Sequence, residues 1–206
     1  MYYDEIKKYL PQYLSITGQE KLFKELEKFP ENIDKIYTTS LTHEENFFQG
    51  DGITYLLCVH LPDTQIRKAP VMILSNTCDT DLSNNRLMVP RIVYAPIFNL
   101  NKYKEVLIRE HVETKKKQLQ SIEGHIRDIR RQYISHIFYL PKSGKLESDS
   151  IVFFDRINNC PADTYVGEEI VNQKIFTLSD YGFYIFLFKL SVHFTRIREE
   201  VVRTVH

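Results

Sequence analysis

Tryptophan is absent from this 206-residue chain, and cysteine is held to three positions, Cys58, Cys78 and Cys160. Three widely spaced thiols exclude the dense cross-linking of a small secreted scaffold. No Cys-x-x-Cys or Cys/His spacing suggests a zinc site. They read as free thiols of a reducing cytoplasm. Net charge is lacking as well, because 27 basic side chains balance 27 acidic ones. A dedicated nucleic-acid binder carries a basic excess, so any contact with phosphate must come from a local patch. No long apolar run is present: the longest, Phe183 to Leu190, is interrupted by Lys189 and is too short to span a bilayer. The N-terminus, MYYDEIKKYL, lacks the basic-then-apolar order of a secretory signal. A cytoplasmic protein with no membrane contact is expected. Internal repeats and low-complexity tracts are also missing.

What is there belongs to an ordinary globular domain with an elaboration. Hydrophobic residues make up 43% and charged residues 26%, enough for a proper core without staples. Thirteen Tyr and thirteen Phe point to β-strands and bulky packing.

Residues Tyr2 to Pro30 read as helical, with Ile6, Tyr9 and Leu10, then Leu22, Phe23 and Leu26, at helical spacing and Gly18 between the two groups. Gly50-Asp51-Gly52 marks a turn into a strand from Ile53 to Leu61, which Pro62 and Asp63 break. Asp63 to Lys68 reads as a polar connection. Val71 to Leu74 is then a buried strand, Ser75 to Arg86 a polar loop, and Met88 to Ile97 a second buried strand. Tyr103 to Arg131 changes character, with Val106, Ile108, Val112, Leu119, Ile122, Ile126 and Ile129 spaced mainly by three or four. That is an amphipathic helix or helical pair, expected to project from the domain. Strands from Ile134 to Leu140 and from Ser150 to Ile157 follow. The last helix starts near Ser179 or Thr177 as cap, with Asp180 in its first turn. Its first half, Phe183 to Leu190, is apolar almost all round, so deep burial is expected.

The polar loop holds Ser75, Cys78, Asp79, Asp81, Asn84, Asn85 and Arg86 at a strand end, where a rigid scaffold presents binding and catalytic groups, and it is expected to border the main concave surface. Cys78 acts as a nucleophile only if a cation, Arg86 or His193, lowers its pKa from about 8.5. The bland reading is a small residue under a turn, with Asp79 or Asp81 bonding local backbone N–H groups. His193 and Arg196 stand three apart on one helix face, suited to a phosphate or to emergence into solvent. Lys115, Lys116 and Lys117 with Arg127, Arg130 and Arg131 form a cationic stripe, diluted by Glu113, Glu123 and Asp128. His111, His125 and His136 are too far apart in sequence to read as a metal site.

The order of these segments resembles the MazF/PemK-like toxins. Gly50-Asp51-Gly52-Ile53 is similar to the family's opening glycine and first barrel strand, and Ala69-Pro70-Val71-Met72-Ile73-Leu74-Ser75 to its RPVVVLS-type strand. Ala95-Pro96-Ile97 is similar to its API-type strand, Ser150 to Ile157 with Asp155 and Arg156 to its later strand, and Leu178-Ser179 to the start of its closing helix. The resemblance covers about half of the chain. Ala69 stands where the family has Arg, Phe98 where it often has Thr, and no complete family triad falls on matching positions.

The resemblance implies an α+β fold: a small curved antiparallel SH3-like β-barrel with N-terminal helices over 1–48, and a barrel domain over 49–206. That domain would carry a helical insertion at 103–131 and a C-terminal helix. It implies action on RNA as a toxin-type, metal-independent endoribonuclease. Such cleavage needs a base for the 2′-hydroxyl proton, an acid for the leaving oxygen and a cation for the phosphorane charge. Asp79, Arg86, Asp155, Arg156 and His193 are the candidates, with Ser75, Cys78, Asn85 and Arg196 as substrate contacts. RNA, a protein partner such as an antitoxin, and a second copy in a homodimer are the implied partners, and no cofactor is implied. The alternative is a non-catalytic barrel module that binds a protein or nucleic-acid partner in a bacterial regulatory or defence system.

Overall fold

Apolar side chains along 71–74 and 92–97 alternate between the two faces of one sheet and so build two cores at once. The protein is described here by a computed structural model covering residues 16–41, 43–84, 86–110, 115–164 and 169–195. In chain order its elements begin with helix α1 (Ile16–Leu26), a 3-10 turn (Ile33–Ile36) and β1 (Tyr37–Thr38). Next come β2 (Gly52–His60), β3 (Asp63–Ile73), the single-turn α2 (Thr77–Thr80) and β4 (Arg91–Asn99). Helices α3 (Leu100–Glu110) and α4 (Lys115–Arg130) precede β5 (Ile137–Leu140), β6 (Ser150–Phe153) and β7 (Asn158–Pro161). The short α5 (Glu169–Gln173), β8 (Lys174–Leu178) and α6 (Asp180–Thr195) complete the described chain.

The architecture is α+β. Eight strands form one sheet in the order β1-β8-β2-β3-β4-β6-β5, with β7 also paired to β4. Every pairing is antiparallel. The path does not return on itself, so the sheet is open. β8 meets β2 only at Gly52 and Ile53. Farther along, β2 is held on that edge by a side chain, Asn158, whose Oδ1 accepts from the Val59 N–H at 2.8 Å.

Met72, Leu74, Ala95, Ile97, Phe138 and Val152 face the main core, together with Tyr181, Ile185 and Phe186 of α6 and Leu22 and Ile36 from the N-terminal region. On the opposite face Ile53, Leu56, Val71, Ile73, Ile92 and Tyr94 form a second cluster. Farther along that face Ile137, Tyr139, Ile151 and Phe153 meet Ile122, Ile126 and Ile129 of α4. The segment expected to project is therefore a helical pair docked on the sheet, because its isoleucine stripe finds an apolar face to cover.

Several boundaries differ from the sequence reading. Asp63 to Lys68 is strand: β3 starts directly after a two-residue turn, with His60 opposite Asp63 and Cys58 opposite Arg67. Its side chains there are all exposed, so backbone pairing alone holds it and no apolar alternation marks it. The strand expected from Met88 starts at Arg91, because β7 and β3 supply partners only from that point. Leu87, Met88 and Val89 are exposed. Asp155 and Arg156 lie in a turn between β6 and β7 instead of within a strand to Ile157.

Ser179 caps α6: its Oγ accepts from the Gly182 N–H at 3.1 Å and donates to the Lys35 carbonyl at 2.8 Å. Gly182 is required by close approach, since a Cβ there would come 2.2 Å from the Ile36 carbonyl oxygen. Burial of α6 is partial. Tyr181, Ile185 and Phe186 are buried, whereas Phe188 and Phe194 are exposed.

Candidate functional site

The polar loop satisfies itself. Asn76 caps α2 by accepting from the Cys78 N–H at 2.9 Å, and Ser75 Oγ accepts from the Val93 N–H at 2.6 Å. Arg86 donates to Asp79 at 2.9 Å and to the Cys78 carbonyl at 3.1 Å, while Asn84 donates to that same carbonyl at 2.8 Å. Asp81 accepts from the side chain and backbone of Ser83, which hold its carboxyl below the usual range. The loop thus directs its cation to a carboxylate and a backbone carbonyl. Cys78 is exposed. Asn85 and Arg196 lie outside the described residues.

A second group gathers at the other end of β4. The Arg156 guanidinium lies over the rings of Phe153 at 4.2 Å and Phe98 at 4.9 Å. The His193 ring, on α6, is 6.0 Å from Phe154 and 6.5 Å from His136. His136 stacks on Phe153 at 6.3 Å. Burial lowers its pKa; His193, His125 and Lys189 act in the same direction and Asp155 opposes them. Tyr103, edge-on to Phe153, shares a 3.1 Å hydrogen bond with His125 Nε2. His60, at the end of β2, reaches Phe98 at 6.0 Å.

Asp155 and His193 therefore both face His136, and Arg156 shares the Phe153 ring with it, while Ser75, Cys78, Asp79 and Arg86 do not join them. Ser75 is fixed at Val93 and Arg156 at Phe98, so the two groups are anchored five positions apart along β4, about 17 Å of strand. Sequence reading missed His136, His125 and Tyr103. They come from the β5 approach, α4 and α3, and nothing local links them; only the docking of the helical pair on β5 and β6 does.

The rest of the surface is less concentrated. The cationic stripe is largely paired: Arg130 bonds Asp149 at 3.0 Å, Arg127 lies 3.6 Å from Asp128 and Arg131 lies 3.8 Å from Glu31. The side chains of Lys115, Lys116 and Lys117 lie outside the described residues. A cavity of about 440 Å³ between α1 and α6 is lined by Phe23, Leu26, Phe29, Tyr184 and Phe188. A cavity of about 770 Å³ lies beside β1 and β8, and one of about 510 Å³ beside α1 and the α6 cap. The polar loop lines none of these three. Among the described residues no three His, Cys, Asp or Glu side chains are grouped to hold a metal ion, and no helix is long and apolar enough to cross a membrane. No protein-family model matches the chain, and no curated protein matches its sequence.

Proposed function

We propose that this chain acts on RNA as a metal-independent endoribonuclease that resembles the MazF/PemK-like toxins, with an SH3-like arrangement of β2, β3, β4 and β7. Its reacting surface is formed by His136, His193, Asp155 and Arg156. The observation that carries this reading is the pair of imidazoles 6.5 Å apart, beside a carboxylate and a guanidinium held on aromatic rings.

The chemistry divides among these side chains. His136, held below its ordinary pKa, is neutral near pH 7 and takes the 2′-hydroxyl proton. The 2′-oxygen attacks phosphorus as the bond to the 5′-oxygen breaks. His193 gives a proton to that leaving oxygen, so the products are a 2′,3′-cyclic phosphate and a 5′-hydroxyl. Arg156 stabilises the phosphorane charge. Asp155 favours His136 once it carries the proton.

Incubation of the purified protein with mixed RNA in chelator tests the proposal. Cleavage leaving 5′-hydroxyl ends is expected, and His136→Gln, His193→Gln and Arg156→Ala should each slow it by about 10²-fold or more. No cleavage by the folded wild-type chain overturns it.

A second reading, a binding module without catalysis, is favoured by a different observation. Leu61 and Ile66, at the end of the β2–β3 hairpin beside His60, are 82% and 65% exposed. An uncovered apolar tip next to the same surface suits a protein partner. Loss of partner binding in Leu61→Ser/Ile66→Ser, with no RNA cleavage by the wild type, would favour it.

A further inference from the structure

Lys189 lies in the middle of α6 and is only 5% exposed. Its ammonium donates to the Gln132 carbonyl, Gln132 Oε1 and the Ile134 carbonyl, each at 2.9 Å, and to the Ile137 carbonyl. Three N–H groups are thus shared among four oxygens, all from a segment that brackets His136. Gln132 has φ of 61°, and its side chain also joins both backbone groups of Tyr139, donating at 2.7 Å and accepting at 3.0 Å. The His136 carbonyl accepts from the Phe154 N–H at 2.9 Å, next to Asp155. His193 follows Lys189 by four residues, so the clamp and the second imidazole share one face of α6.

We propose that Lys189 is the positioning residue of this site: it gathers the 132–137 segment onto α6 and presents His136 to His193 one turn farther along, with the two rings 6.5 Å apart. The segment has no regular structure between Gln132 and Ile137 to hold His136 by itself. Without the ammonium, three backbone carbonyls would lose this donor in a buried place, while Gln132 Oε1 keeps only the Tyr139 N–H. The groups facing His136 are Asp155 from the β6–β7 turn, His125 from α4, and Lys189 and His193 from α6. Burial pushes the Lys189 ammonium down to about 7. The assignment rests on the proposed function only for the use made of the pair; the coupling is read without RNA.

NMR titration of the histidine ring protons in the full chain is the test. In the wild-type background, His193→Gln should raise the His136 midpoint, because a like charge is removed. In Lys189→Met that response should disappear and His136 should return toward its ordinary value of about 6.5. Gln132→Met, which removes one acceptor and leaves the ammonium in place, should weaken the response without abolishing it. An unchanged His136 titration in whichever of these variants folds overturns the assignment. Should neither fold, the wild type decides: the Lys189 ammonium signal and the 134–137 amides should move with the His136 midpoint, and a Lys189 signal that stays still overturns it. Intact coupling without RNA cleavage would remove the proposed function alone; cleavage without coupling would remove this assignment alone.

Discussion

Asp51 Oδ2 lies 3.3 Å from Lys174 Nζ, and neither side chain is more than 2% exposed. The pair ties the start of β2 to the start of β8, where the two strands meet for only two residues. Burial raises the Asp51 carboxyl, while Lys174 and the Phe48 N–H act against that rise. Asp51→Ala strands a buried ammonium and should cost about 3–5 kcal/mol. Lys174→Met should cost less, because the remaining carboxyl already favours the neutral form and can take a proton. The double variant Asp51→Leu/Lys174→Met should be more stable than Asp51→Ala. Urea unfolding at neutral pH measures all three, and a Lys174→Met as costly as Asp51→Ala would contradict this account.

His136 makes stability depend on pH. Its folded pKa lies below the unfolded value of about 6.5, so between the two the unfolded chain binds more protons. Stability should therefore rise with pH through that window and level off above about 6.5. His136→Phe should flatten this part of the profile. The acid loss caused by Glu25, whose carboxyl is held low by Lys35 and Asn32, should be common to both proteins. Melting temperature followed from acid to neutral pH gives the difference, and identical profiles would count against a depressed His136.

The three thiols should separate by alkylation. Cys78 is exposed, Cys160 half-buried with its thiol raised by burial, and Cys58 buried and pushed up to about 11. Mass spectrometry of the native protein at mildly alkaline pH should find Cys78 modified first and Cys58 only on unfolding. Modification of Cys58 at the rate of Cys78 would mean that β2 opens locally.

The helical pair should prove part of the fold. Ile129 is fully buried against β5 and β6, so Ile129→Ala should cost about 2–5 kcal/mol. Deletion of 103–131 should expose Ile137, Tyr139, Ile151 and Phe153 and abolish cooperative unfolding. A deletion variant that melts like the wild type would restore the view of a detachable projection.

Local chemistry determined much of this protein. The cap at Ser179, the alternation of Val71, Met72, Ile73 and Leu74, and the isoleucine spacing in α4 are each written within one or two turns of chain, where period and backbone geometry act directly. Tertiary structure decided the rest. Asp63 to Lys68 became strand because β2 returned beside it, although its exposed side chains carry no signal. The two candidate groups, each polar and each at a strand end, were separated by β4, which no local pattern specifies. His125 on α4, His136 in the turn before β5 and His193 on α6 meet only because a helical stripe and a closing helix cover opposite faces of one sheet. Burial of apolar surface fixed those positions, and the ionisable groups were carried with them.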